Sequence, residues 1–350
     1  MISLQTFRRK DTLLALMIII VAVLTSWLLL SRQETVKYGA SRPDCAADFR
    51  CNAEYYARLT YRSDPATAFI DIRKAYDEDS NVKAQCHQLT HIIGRTAFEK
   101  YGGLSGAFER GDSFCWSGFH HGAVEQAVGD MGIAQIKAEA NDLCRELAEK
   151  NRYSFDHFNC VHGLGHGFMS IDAYELPSAL KSCEILTDTW ERDSCAGGVF
   201  MENVMVASRE NGVSKYLKKD DLLYPCNGIE ETFMQQCYLM QSSYMLQQNG
   251  YNFRDTFALC QKANSAYMNT CFQSIGRDAS GSSVSDVTLT KEKCDTAPDR
   301  EALKYCMMGA VRDFVSYFHS DTQARELCKA WGAEIEQPCN DEITNYYRVF

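Results

Sequence analysis

From residue 144 onward the cysteines fall into a regular beat: Cys144 and Cys160, Cys183 and Cys195, Cys226 and Cys237, Cys260 and Cys271, Cys294 and Cys306, Cys328 and Cys339. Successive first members lie 39, 43, 34, 34 and 34 residues apart, an internal repeat of about 34 residues. The first cysteine of a pair closes a helical pattern, as in Ala324-Arg325-Glu326-Leu327-Cys328, and the second opens another, as in Cys306-Met307-Met308-Gly309-Ala310. Period-two alternation bounded by turns, the mark of strands, is scarce. The expected fold is therefore all-α: an α-solenoid of disulfide-stapled two-helix repeats behind one N-terminal transmembrane helix.

A two-helix unit cannot bury its own apolar face, which makes the staples important. Closing a loop of this size contributes on the order of 3 kcal/mol by restricting the unfolded chain. Pairing within each unit is the expectation, although spacing alone does not determine connectivity. Cys86 and Cys115 fall outside the beat; their pairing with each other leaves Cys45 for Cys51. Sixteen cysteines with no CxxC and no CxxCH read most economically as disulfides in an oxidising compartment. In unit length and two-helix organisation, residues 80–350 resemble tetratricopeptide-like repeat proteins. The resemblance implies architecture alone, since no tetratricopeptide consensus is present.

Leu13 to Leu30 is an uncharged apolar run of 18 residues, about 27 Å as a helix, nearly the thickness of a bilayer's hydrocarbon core. Arg8, Arg9 and Lys10 precede it, so the positive-inside rule places the N-terminus in the cytoplasm and the rest outside. A cleaved signal peptide is the rival reading, disfavoured by the length of the run. The expected organisation is a cytoplasmic N-terminus at 1–11, a transmembrane anchor at 12–31, a linker and N-terminal cap at 32–80, His-rich repeats at 81–205 and stapled repeats at 206–350. The localisation that follows is a single-pass membrane protein whose C-terminal domain is periplasmic or extracellular. A formal charge of −10, with no basic stripe beyond the N-terminus, argues against nucleic acid as the main partner.

Histidine is concentrated in the first half. His87 and His91, then His162 and His166, are separated by one helical turn and share a helix face, close enough to hold a metal ion together. Between them, His121 and Glu125 repeat the same step. Eight histidines in 350 residues yield about 0.2 HxxxH pairs by chance, and two are present. The repeats supply a control. At the sixth residue past the second cysteine, successive units carry His121, His166, Met201, Ser243, Arg277 and Arg312, so the fold does not require histidine there. The histidines are additions to a scaffold, on consecutive helices that a solenoid aligns.

The candidate metal ligands are His87, His91, His121, Glu125, His162 and His166. Glu125 serves as ligand or general base, and Glu202, on the next helix, is a weaker candidate for either role. This nitrogen-rich set suits zinc, iron, manganese or copper and disfavours calcium. Its size allows a mononuclear or dinuclear site. The placing of His and Glu pairs on consecutive helices resembles deoxyhypusine hydroxylase, which implies a dinuclear iron centre on helical repeats. This chain departs from it in having HxxxH rather than adjacent His-Glu.

The other side chains read structurally. His120 is one step off the inner register, His157 falls in a stapled turn and His319 near a helix end, the last two solvated. Arg277-Asp278 and Arg312-Asp313 are structural ion pairs, and Met169, Met201, Met205 and Met240 are core. No HExxH, GxSxG, GxGxxG or GxxxxGK[ST] occurs. Three readings follow: a membrane-anchored metalloenzyme (hydrolase or oxygenase) with its substrate in the concave groove, a non-catalytic module binding a peptide or protein there, and a metal carrier.

Overall fold

Short polar caps set where the helices begin. The carboxylates of Asp48, Asp64 and Asp79 accept first-turn N–H groups of α1 (Phe49–Arg62), α2 (Pro65–Glu78) and α3 (Ser80–Tyr101). A short α4 (Leu104–Phe108) leads to α5 (Gly118–Leu143), which Gly132 interrupts with φ 72°. Ser154 caps α6 (Phe155–Ile171). Short and long helices then alternate: α7 (Leu176–Cys183) and α8 (Thr189–Val206), then α9 (Glu231–Gln248) and α10 (Phe253–Cys260). The last elements are α11 (Met268–Gly281), α12 (Val287–Cys294), α13 (Arg300–Phe318), α14 (Thr322–Ala330) and α15 (Ala333–Tyr347). This computed structural model describes residues 42–147, 154–206 and 214–347, and those residues contain no strand. The expected anchor at 12–31 lies outside them. No helix among the described residues is long and apolar enough to cross a membrane.

All sixteen cysteines are paired as the spacing suggested, including Cys86–Cys115 and Cys45–Cys51. Eight disulfides point to an oxidising, extracytoplasmic environment. One detail differs from the sequence reading. The second cysteine does not open its helix; α13 begins at Arg300, capped by Asp299, before Cys306. The staple thus pins the interior of a long helix to the end of a short one.

Along the chain, α3 packs on α5, α5 on α6, α6 on α8, α8 on α9, α9 on α11, α11 on α13 and α13 on α15. Some of these contacts are backbone to backbone. A Cβ on Gly198 would stand 1.9 Å from the His162 carbonyl oxygen, and one on Gly165 would stand 2.1 Å from that of Cys195. Any side chain at either glycine forces α6 and α8 apart. Early and late helices also meet. Arg73 on α2 donates to Tyr317 on α13 at 3.0 Å and to Asp112 at 2.6 and 2.7 Å. Ser113 bonds His319 at 2.9 Å, and the Trp116 indole lies against Gly281.

Arg277 pairs with Asp278 at 2.7 Å, as expected. Arg312 does not pair with Asp313. It turns to Glu342 on α15 at 2.6 Å, because the last helix supplies a carboxylate that spacing within a repeat does not reveal. Burial pushes the Asp313 carboxyl up to about 7; Asp278 adds to the shift, and the Ser280 hydroxyl and Arg277 oppose it. Folding then holds a proton that the unfolded carboxyl releases near pH 4, so this group's contribution declines as pH rises from about 4 through 7. Asp313→Asn is expected to match the parent at pH 4 and to exceed its stability by about 1–3 kcal/mol at pH 8. Urea unfolding at the two pH values checks this, and a parent–variant gap independent of pH would refute it.

Candidate metal centre

Four helices converge on one buried spot. α3 presents His87 and His91, α5 presents His121 and Glu125, α6 presents His162 and His166, and α8 presents Met201 and Glu202. Of the histidines, His166 is fully buried and the other four are no more than 3% exposed. The rings of His121 and His166 stack at 4.6 Å, His87 and His91 meet edge-on at 4.6 Å, and His121 and His162 lie 4.8 Å apart. One ligand nitrogen from each of His87, His91, His121 and His166 lies within 4.8 Å of all the others. Around one tetrahedral ion with bonds of about 2.1 Å the ligand atoms stand about 3.4 Å apart, so inward movements of up to about an ångström per ring bring all four onto one metal.

Hydrogen-bond partners determine which nitrogens face inward. His87 Nδ1 lies 2.8 Å from the Cys115 carbonyl oxygen, which only accepts, so Nδ1 carries the proton and Nε2 carries the lone pair. His91 Nδ1 lies 3.1 Å from Glu125 Oε2, a carboxylate oxygen, with the same consequence. Yet the two Nε2 atoms face each other at 3.0 Å. Two lone pairs at that distance repel, and only a proton or a cation between them makes the contact favourable. Two nitrogens bound to one metal at about 2.05 Å stand about 2.9–3.4 Å apart. His166 repeats the pattern: Nδ1 sits 2.9 Å from Glu202 Oε2, while Nε2 is buried without a hydrogen-bond partner. A buried acceptor left unsatisfied in this way is costly.

Electrostatics disfavour the proton as the answer. Burial pushes His87 and His121 well below the usual imidazole range, and neighbouring imidazoles push them further. His91 is also lowered by burial, against the pull of Glu125. Burial would raise the Glu125 carboxyl, but His91 and Arg95 outweigh it and hold it well below the usual carboxylate range. Arg95 donates to Glu125 Oε2 through Nε at 3.1 Å and through a close Nη2 contact.

The remaining candidates separate. Glu125 turns to His91 on the neighbouring helix, not to His121 one turn away on its own. His162 stands beside the set with Nε2 3.4 Å from Met201 Sδ. His120 points away, edge-on to Phe108 and Phe119, where burial lowers it to about 3. His157 corrects the sequence reading: it is buried in the first turn of α6 and bonded to Glu191 at 3.0 Å, because the helix begins at Phe155 and carries it against α8. His319 is exposed at the end of α13 and stacks on Phe155 at 4.7 Å. The sequence reading missed Arg95, although it follows His91 by the same four-residue step and so shares its helix face. Nothing local marks the Cys115 carbonyl.

Two cavities reach the histidines. One of about 300 Å³ touches His121 and His162 between Phe155, Phe158 and Trp190. The other, of about 550 Å³, touches His87. Trp116 borders both. Comparison of the chain with protein-family models, curated proteins and solved structures finds no match, so the centre is read from its own geometry.

Proposed function

We propose that the chain is a membrane-anchored, extracytoplasmic protein, an α-solenoid of stapled repeats that holds one transition-metal ion on His87 Nε2, His91 Nε2 and His166 Nε2. His121 supplies the fourth nitrogen, and His162 is a neighbour outside the coordination sphere. Glu125 and Glu202 orient His91 and His166 and raise their basicity, in place of acting as general bases. The observation that carries this reading is the pair of Nε2 lone pairs facing at 3.0 Å, each imposed by an acceptor on the other side of its ring.

Neutral nitrogen ligands leave a dication's full charge available to polarise a bound water or substrate oxygen. With cavities on two sides of the histidines, this favours a metal-dependent hydrolase or oxygenase. The donor set suits zinc, iron, manganese or copper.

Glu202→Gln tests the assignment. The amide keeps the size and one acceptor but loses the charge that holds His166 Nδ1–H. Metal affinity, measured by competition with a chromophoric chelator, is expected to fall about 10- to 100-fold with the fold retained. Unchanged affinity would remove Glu202 from the site.

A further inference from the structure

The larger cavity is bordered by two ammonium groups and a single carboxylate. Lys83 on α3 and Lys293 on α12 both border it, and the Lys83 charge acts on Lys293. Neither forms an ion pair with a carboxylate among the described residues. Lys293 Nζ donates to the hydroxyls of Ser282 and Ser283 at 2.8 and 2.7 Å, and Lys83 lies over the Tyr76 ring at 4.9 Å. Asp278, the carboxylate on the same wall, is already engaged by Ser242 at 2.5 Å, Ser243 at 2.8 Å and Arg277 at 2.7 Å. Between the lysines and His87 the walls are broad and flat: Tyr76, Trp116 and Tyr251. The Trp116 indole N–H is buried and has no hydrogen-bond partner.

We propose that this cavity binds an organic anion with a flat apolar body. Its carboxylate or equivalent sits between Lys83 and Lys293, its body lies among Tyr76, Trp116 and Tyr251, and its far end points to His87. The anion-binding part stands on the lysines alone; that the far end meets a metal rests on the function proposed above. Two ammonium groups border a cavity whose one carboxylate, Asp278, is already bonded to Arg277, and a bound anion offsets their mutual repulsion while gaining charge-assisted hydrogen bonds. Burial first, then the Lys83 charge, pushes the Lys293 ammonium down to about 8, with Asp278 and Asp286 opposing, which agrees with an incomplete set of counter-charges. A void of about 550 Å³ has room for such a molecule.

Calorimetric titration of the full chain at pH 7 with 3-phenylpropionate and with the isosteric neutral 3-phenylpropanamide provides the test. The acid is expected to bind about 10- to 100-fold more tightly than the amide. Lys293→Met is expected to abolish that preference and leave amide binding unchanged. Lys83→Met, at an exposed position, is expected to reduce the preference and serves as the second variant should Lys293→Met fail to fold. Equal binding of acid and amide by the parent, or an unchanged preference in a folded lysine variant, would overturn the proposal. Metal content is measured in the same samples and in His91→Ala. Metal loss there with the acid preference retained supports an anion site independent of the metal. Absence of metal from every sample sinks the metal centre without touching the anion site.

Discussion

Protein purified with its disulfides intact is expected to carry close to one equivalent of a transition metal, and His91→Ala or His166→Ala less than about a tenth of that. The size of the effect follows from how the nitrogens are held. Each of these rings has its Nδ1 fixed by a carboxylate, so its Nε2 is already aimed and loses little freedom on binding. Removing one ring takes away a ligand and leaves its carboxylate without its imidazole donor, so affinity and stability decline together. His162→Ala is the informative contrast. Its Nε2 faces Met201 Sδ, and metal content is expected to survive its removal. Neutral core histidines would instead give under half an equivalent in the parent and no difference between these variants, which would reduce the protein to a stapled scaffold. Two equivalents would convert the single-ion assignment to a dinuclear one. Elemental analysis of the parent and the three variants decides among these outcomes.

The second large effect concerns Cys86–Cys115, which closes a separation of 29 residues, against 11 for Cys328–Cys339. In the chain-entropy account, removal of the longer loop costs about 3–4 kcal/mol and of the shorter about 3 kcal/mol, nearly the same penalty. Their consequences for the metal differ. Cys86 immediately precedes His87, and the carbonyl of Cys115 itself accepts the His87 Nδ1 proton. The double replacement of Cys86 and Cys115 by serine is therefore expected to lower metal affinity at least about tenfold as well as stability. Replacing Cys328 and Cys339 is expected to lower stability and spare the metal. Unfolding curves and chelator competition on both variants measure the two effects separately, and equal metal loss in both would deny the Cys86–Cys115 bridge a local role.

Much of the fold could be read one stretch at a time. Caps such as Asp299, Asp286 and Asn252 sit beside the helices they start, and a cysteine closing one helix finds its partner 11 or 12 residues on in the later units. The histidine pairs were legible for the same reason, since four residues make about one helical turn and need no tertiary information. His157 reads from the sequence as part of the stapled turn because the repeat marks the helix start at Cys160, whereas the Ser154 cap starts it five residues earlier, at Phe155. Arg312 was misassigned because Glu342, its partner, lies 30 residues away on a helix that packs beside it only once the stack has formed.

By itself the sequence determined the helical class, the repeat and the sharing of a helix face by His87 with His91 and by His162 with His166, and it suggested the disulfide partners that the structure then showed. All of these depend on separations along the chain shorter than one unit. The tertiary structure decided which nitrogen of each imidazole looks inward, that Glu125 serves His91 and Glu202 serves His166, and that Lys83 and Lys293 border one cavity. Those relations join residues 28 to 210 positions apart. They arise only when helix backbones approach closely and early helices meet late ones, and no local periodicity records that.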